Sequence, residues 1–137
     1  MFVCIQFICL AILLSTGPLL ADRIFLVIEC VAIGLGIWAF LVMRQGPLRI
    51  FPDVAESAML IRQGPYRAVR HPMYSAVILL MTALVMNAPD MLRISVLIIL
   101  CLDLLGKLLY EEKLLKDSFA EYDEYSKTTW RLIPFIF

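Results

Sequence analysis

Four apolar runs, separated by polar connections, limit what this chain can fold into more than any other feature. They are Phe2 to Leu20, Ile24 to Met43, Pro72 to Asn87 and Leu92 to Tyr110. A helix needs about 20 apolar residues to cross a bilayer core, and backbone groups inside hydrocarbon must be paired within the segment. Each run is therefore predicted to be a transmembrane helix, the third somewhat short. The chain is 62% hydrophobic with a mean hydropathy of +0.89, far above an ordinary soluble domain. The first run has no Lys or Arg before its core, and Leu19 stands where a signal-peptide cut after Ala21 would need a small residue. A retained span is the better reading.

The expected fold is an all-α integral membrane protein, a single domain over residues 1–137, with four transmembrane helices. Leu115, Phe119 and Tyr122 recur at helical spacing between acids and lysines. They predict a C-terminal amphipathic interfacial helix in a cytoplasmic tail over 111–137, with Trp130 and Phe135 in an interfacial aromatic belt. Arg23 and Arg93 are the only basic residues in the two short turns. Arg44, Arg49, Arg62, Arg67, Arg70, Lys113, Lys116, Lys127 and Arg131 fall at the opposite side. The positive-inside rule then puts both termini in the cytoplasm. Within the second run, Ala32 and Gly36 allow close helix contact, and Glu29, about one turn from the start, reads as interfacial.

Equal numbers of acidic and basic residues, 12 of each, give no bulk attraction to nucleic acid. Four cysteines in apolar runs form neither a CxxC pair nor a disulfide framework and read as small buried hydrophobes. With one histidine, a His/Cys zinc site is not expected.

Chemistry concentrates in Gly64-Pro65-Tyr66-Arg67-Ala68-Val69-Arg70-His71-Pro72-Met73-Tyr74. Neither proline fits a helix interior, but Pro72 suits the first position of one. Gly64 to His71 reads as an ordered loop feeding a helix N-terminus, where free N–H groups and the dipole favour an anion. Arg67, Arg70 and His71 add donors there. A second cluster, Asp103, Lys107 and Glu111, shares one face of the fourth helix at spacing i, i+4, i+8. It reads either as a self-neutralising ladder or as one wall of a polar pocket facing the loop.

Together these residues resemble the isoprenylcysteine carboxyl methyltransferase and phospholipid methyltransferase families. The shared elements are Gly64-Pro65-Tyr66, Arg70-His71-Pro72-Met73-Tyr74, a helical hairpin, Glu111-Glu112-Lys113-Leu114-Leu115, Phe119, Tyr122, Tyr125, Arg131 and Pro134. The resemblance covers roughly Leu60 to Pro134. It implies S-adenosylmethionine as cofactor, lined by Tyr66, His71, Pro72, Met73, Tyr74 and Glu111, with Met59, Leu60 and Ile61 adding contacts from just before the block. It implies that Lys107 stands where the carboxyl methyltransferases carry an acceptor-facing arginine. Arg70 suits the cofactor carboxylate, and Lys107 and Arg70 are the expected catalytic residues. Flanked by two acids, Lys107 is expected to stay protonated and to hold an anionic group of the acceptor.

The expected activity is methyl transfer to a lipidic or amphipathic acceptor at the cytoplasmic boundary of a bacterial inner membrane or the endoplasmic reticulum. Membrane lipids would be its other partners. A carboxylate O-methyltransferase leads. A phospholipid-amine N-methyltransferase, an NADPH-dependent membrane reductase resembling the sterol reductases, and a non-enzymatic scaffold are the alternatives.

Overall fold

The structure, a computed structural model, describes residues 1–45 and 60–136; Arg49 and Met59 lie outside them. The chain runs α1 (Phe2–Ser15), α2 (Arg23–Gln45), a 3-10 turn (Gly64–Arg67), α3 (Pro72–Asn87), α4 (Met91–Ser118) and α5 (Tyr122–Thr128). No strand occurs among the described residues, only a lone bridge between Val69 and Trp130. The all-α expectation holds.

Element ends follow local chemistry. α1 stops at Ser15 rather than Leu20, because Gly17-Pro18 cannot continue it and the Ser15 and Thr16 hydroxyls donate to the Ile12 carbonyl, at 3.1 and 2.7 Å. Pro72 opens α3 at its first position. Asp90 caps α4 by accepting from the Leu92 N–H at 3.1 Å. Beyond Tyr110 nothing breaks the helix, so α4 runs on to Ser118 for 28 residues, about 42 Å at the standard rise. The predicted tail helix is thus divided. Its Leu115 belongs to α4, Phe119 is extended, and only seven residues form α5.

Side chains of α1, α3 and α4 build one core from Cys9, Leu13, Met81, Leu84, Val85, Val96, Leu100 and Leu104. α2 lies along α3, and a Cβ on Gly36 would stand 3.5 Å from that of Ala76, the close approach predicted for this small residue. An open apolar groove of about 300 Å³ runs between these two helices past Gly36, Met73 and Leu80. Only Cys9 among the cysteines is buried; Cys4 and Cys30 are exposed and Cys101 is half-buried.

At one end the two short turns are tied together, the Asp22 N–H donating to Asn87 Oδ1 at 2.9 Å. Two expectations change here. Glu29 is enclosed and accepts from the Ala21 N–H at 3.3 Å, turning back to serve the turn before its own helix. Arg93 is 2% exposed, donates to the Ala88 carbonyl at 2.6 Å and packs against Gly17, so it is a packing element and not a free turn charge. Arg23 is left as the exposed basic residue of that end among the described residues.

Among the described residues one helix, Arg23–Arg44, is long and apolar enough to cross a membrane. α1 and α3 are shorter, and α4 carries Arg93, Asp103 and Lys107 along its apolar part.

Candidate active site

The polar loop is folded by two constraints. Gly64 has φ +56, and a Cβ there would meet Val42 Cγ2 at 2.7 Å, so this position requires glycine on both counts. Pro65 and Tyr66 are buried in the 3-10 turn. The tail then returns along the loop. The Trp130 N–H donates to the Ala68 carbonyl at 2.9 Å. The N–H groups of Arg70 and His71 donate to the carbonyls of Trp130 and Arg131, at 2.7 and 3.1 Å. The Ser75 hydroxyl donates to the Leu132 carbonyl at 2.6 Å, and that of Tyr125 to the Tyr66 carbonyl.

Beneath this strap lies an ionic triad. Glu112 accepts from Arg70 Nε at 2.8 Å through one oxygen and from Arg131 Nε at 3.0 Å through the other. Arg70 also donates from Nη1 to the carbonyls of Ser126, at 2.8 Å, and Thr129. Burial pushes the Glu112 carboxyl up, but the hydrogen bonds and charges of Arg70 and Arg131 outweigh it and hold the group below the usual carboxylate range. Arg70 was expected to meet the cofactor carboxylate. Its guanidinium instead serves Glu112 and the tail, the contacts of a positioning residue.

The open side holds a different set. The Tyr74 hydroxyl donates to Glu111 Oε1 at 2.7 Å. The His71 ring stacks on Tyr74, with centroids 5.4 Å apart and planes 3° from parallel. Lys107 Nζ lies 5.1 Å from the centroid of the Tyr74 ring, within cation–π range, and donates to Gln6 Oε1 at 3.4 Å. Loop, α3 and α4 thus converge as the two-cluster reading anticipated, with α1 joining them. No ion pair among the described residues links Lys107 to Asp103 or Glu111. Asp103 is buried one turn deeper, both oxygens without a hydrogen-bond partner.

His71 stands between two acids, Nδ1 at 3.8 Å from Glu111 and Nε2 at 3.9 Å from Glu112, both beyond hydrogen-bond reach. Burial lowers its pKa to about 4; Glu112 pulls upward, while Arg70 and Arg131 push down. The ring is neutral at pH 7 and adds no positive charge to the loop. Burial also pushes the Tyr66 and Tyr125 hydroxyls up to about 12, so both stay protonated.

Of the remaining expected residues, Pro72 is buried, Met73 is half-buried at the start of α3, and Leu60 and Ile61 are half-buried ahead of the turn. Gln6 was not anticipated. A lone glutamine in an apolar run was its only sequence signal, and its partner on α4 is 101 residues away. Glu112 and Arg131 were seen as parts of a motif but not as partners.

The residues suit a group bearing an ammonium and hydroxyls. Glu111 is partly open, its side chain 37% exposed, while His71 Nε2 and the Tyr66 hydroxyl are buried polar atoms without partners.

Apolar helices thus close a polar, tail-strapped site at one end of the bundle. The model of the phospholipid methyltransferase family matches residues 23–122. The chain belongs to that family and is, by that membership, a membrane methyltransferase. No curated protein and no solved structure matches it.

Proposed function

We propose that the protein transfers a methyl group from S-adenosylmethionine to a lipidic or amphipathic acceptor at the cytoplasmic boundary of a membrane crossed by α1 to α4. The carrying observation is the convergence of His71, Tyr74, Lys107 and Glu111 at one end of the bundle, beneath a tail held by Glu112. S-adenosylmethionine supplies an electrophilic methyl on a sulfonium. Glu111 would hold its ammonium or ribose hydroxyls, steered by the Tyr74 hydroxyl. Neutral His71 and Tyr66, with Pro72 and Met73, would line the pocket, and Leu60, Ile61 and Met59 extend the proposed lining. Arg70 contributes by fixing loop to tail. In-line displacement depends mainly on positioning and exclusion of water, which a tail-closed pocket supports.

Lys107 is proposed to hold an anionic group of the acceptor. The apolar groove between α2 and α3, with Met73 on its rim, suits an alkyl chain. A carboxylate acceptor needs no base, whereas an amine must lose a proton. The family's description favours a phospholipid acceptor and so gives weight to the amine chemistry.

The test is calorimetric titration of detergent-solubilised protein with S-adenosylhomocysteine and with NADPH. A labelled-cofactor screen over prenylcysteines, phospholipid amines and fatty acids follows. Binding of S-adenosylhomocysteine and label transfer to one class are expected; binding of NADPH alone would assign a reductase, and binding of neither a scaffold.

A further inference from the structure

We infer that Gln6 on α1 forms, with Lys107 on α4, a two-point seat for an oxyanion of the acceptor, and that this seat selects the acceptor. The inference rests on the methyl-transfer reading above. Residue 6 lies outside the family match, which begins at residue 23.

The hydrogen bond between the two side chains fixes the amide's orientation. An ammonium has only donors, so the oxygen of Gln6 must face Lys107 Nζ, as it does at 3.4 Å. The amide NH2 is carried by the same carbon and is thereby left pointing elsewhere. Among the described residues it makes no hydrogen bond, and Lys107 makes only the one to Gln6. The pair therefore offers N–H donors on two neighbouring groups, the ammonium and the amide, to a ligand that reaches both. Both residues are half-buried, so desolvated enough to matter and open enough to be reached.

Placement fits an acceptor. Lys107 rests over the ring of Tyr74, whose hydroxyl is bonded to Glu111, so the seat adjoins the proposed cofactor wall. A lone ammonium is a flexible point charge. The amide adds direction, and hydrogen bonds to an ionised oxygen are roughly twice as strong as neutral ones. The ligand chemistry is a carboxylate or phosphate on an alkyl chain.

Dodecanoate and dodecyl phosphate serve as probes, titrated into the full-length protein in maltoside micelles. S-adenosylhomocysteine affinity and melting temperature are measured on the same samples. Gln6→Glu keeps the size but replaces the NH2 with a charged oxygen beside Lys107. It is expected to weaken the preferred probe by about tenfold or more, leaving S-adenosylhomocysteine affinity and melting temperature unchanged. Gln6→Leu should lose several-fold. A wild-type preference for dodecanoate makes the seated group the accepting carboxylate; a preference for dodecyl phosphate makes it a headgroup phosphate beside an accepting amine. Undiminished probe affinity in Gln6→Glu overturns the seat, as does a wild type that binds neither probe. Either failure leaves S-adenosylhomocysteine binding intact, whereas loss of that binding in the wild type would strike the methyl-transfer reading itself.

Discussion

Glu112 meets the guanidinium of Arg70, 42 residues earlier in the chain, at 2.8 Å, with both side chains more than nine-tenths buried. Its neighbour Glu111 points about 100° away along the helix and takes the Tyr74 hydroxyl instead. The adjacent acids therefore have separable roles. Glu112→Ala would leave Arg70 and Arg131 without their shared carboxylate, a loss of about 3–5 kcal/mol for a broken buried pair, read as a large fall in melting temperature. Glu111→Ala should leave the melting temperature nearly unchanged and weaken S-adenosylhomocysteine by roughly tenfold or more. Equal melting temperatures for the two variants would remove the distinction.

His71 gives the fold a pH dependence of definite sign. Its pKa is lowered by burial from 6.5 unfolded to about 4 folded. Between those values the unfolded chain binds a proton that the native one does not, so stability falls as pH drops from 6.5 towards 4. Glu112, also lowered, adds loss in the same direction below its ordinary carboxylate range. Melting temperature followed from pH 7.5 to 4.5 should decline. His71→Gln should flatten the upper part of that decline, and parallel curves for the two proteins would contradict the assignment.

The strap is expected to be needed for cofactor affinity but not for the long helices. A chain stopped after Thr129 loses Arg131, the Ser75–Leu132 hydrogen bond and both carbonyls that receive the Arg70 and His71 N–H groups. Circular dichroism should show nearly the full helix content, while S-adenosylhomocysteine binding falls by more than about tenfold. Unaltered binding would show that the tail does not close the pocket.

Lys107 separates two acceptor chemistries. As a holder of an anion it tolerates Lys107→Arg with substantial methyl transfer, whereas Lys107→Met loses transfer at nearly constant cofactor affinity. An inactive Lys107→Arg, with wild-type activity rising towards a basic apparent pKa, would make Lys107 a base for an amine.

Both termini are predicted on the cytoplasmic side. Cysteines engineered into the tail of a variant lacking Cys4 and Cys30, the exposed native thiols, should resist an impermeant maleimide in intact cells. A cysteine placed in the Asn87–Asp90 turn should react. Tail labelling from outside would exclude the cytoplasmic placement of the termini.

Much of this architecture was legible because local signals agreed. Pro72 opening α3, the Asn87–Asp90 turn and the Gly36 approach all depend on neighbours in sequence or on one helix face. What stayed hidden depends on chain return. Leu115, Phe119 and Tyr122 share a helical spacing, yet α4 ends at Ser118, Phe119 is extended and fully buried Tyr122 opens a separate helix. The positive charge that the loop offers a ligand is smaller than its basic residues imply, for the same reason. Arg70 is neutralised by an acid 42 residues away and His71 by enclosure, neither visible in a count of basic residues. Gln6 speaks to Lys107 only because α1 lies against α4.

The triad also orders the protein's biogenesis. Arg70 is synthesised first, Glu112 follows only after the α3–α4 hairpin, and Arg131 comes last. While the chain is still being made, Glu112 has one partner at most, and the carbonyls that receive the Arg70 and His71 N–H groups do not yet exist. The strap therefore cannot close over the site until its last residues, Trp130 to Leu132, have been made.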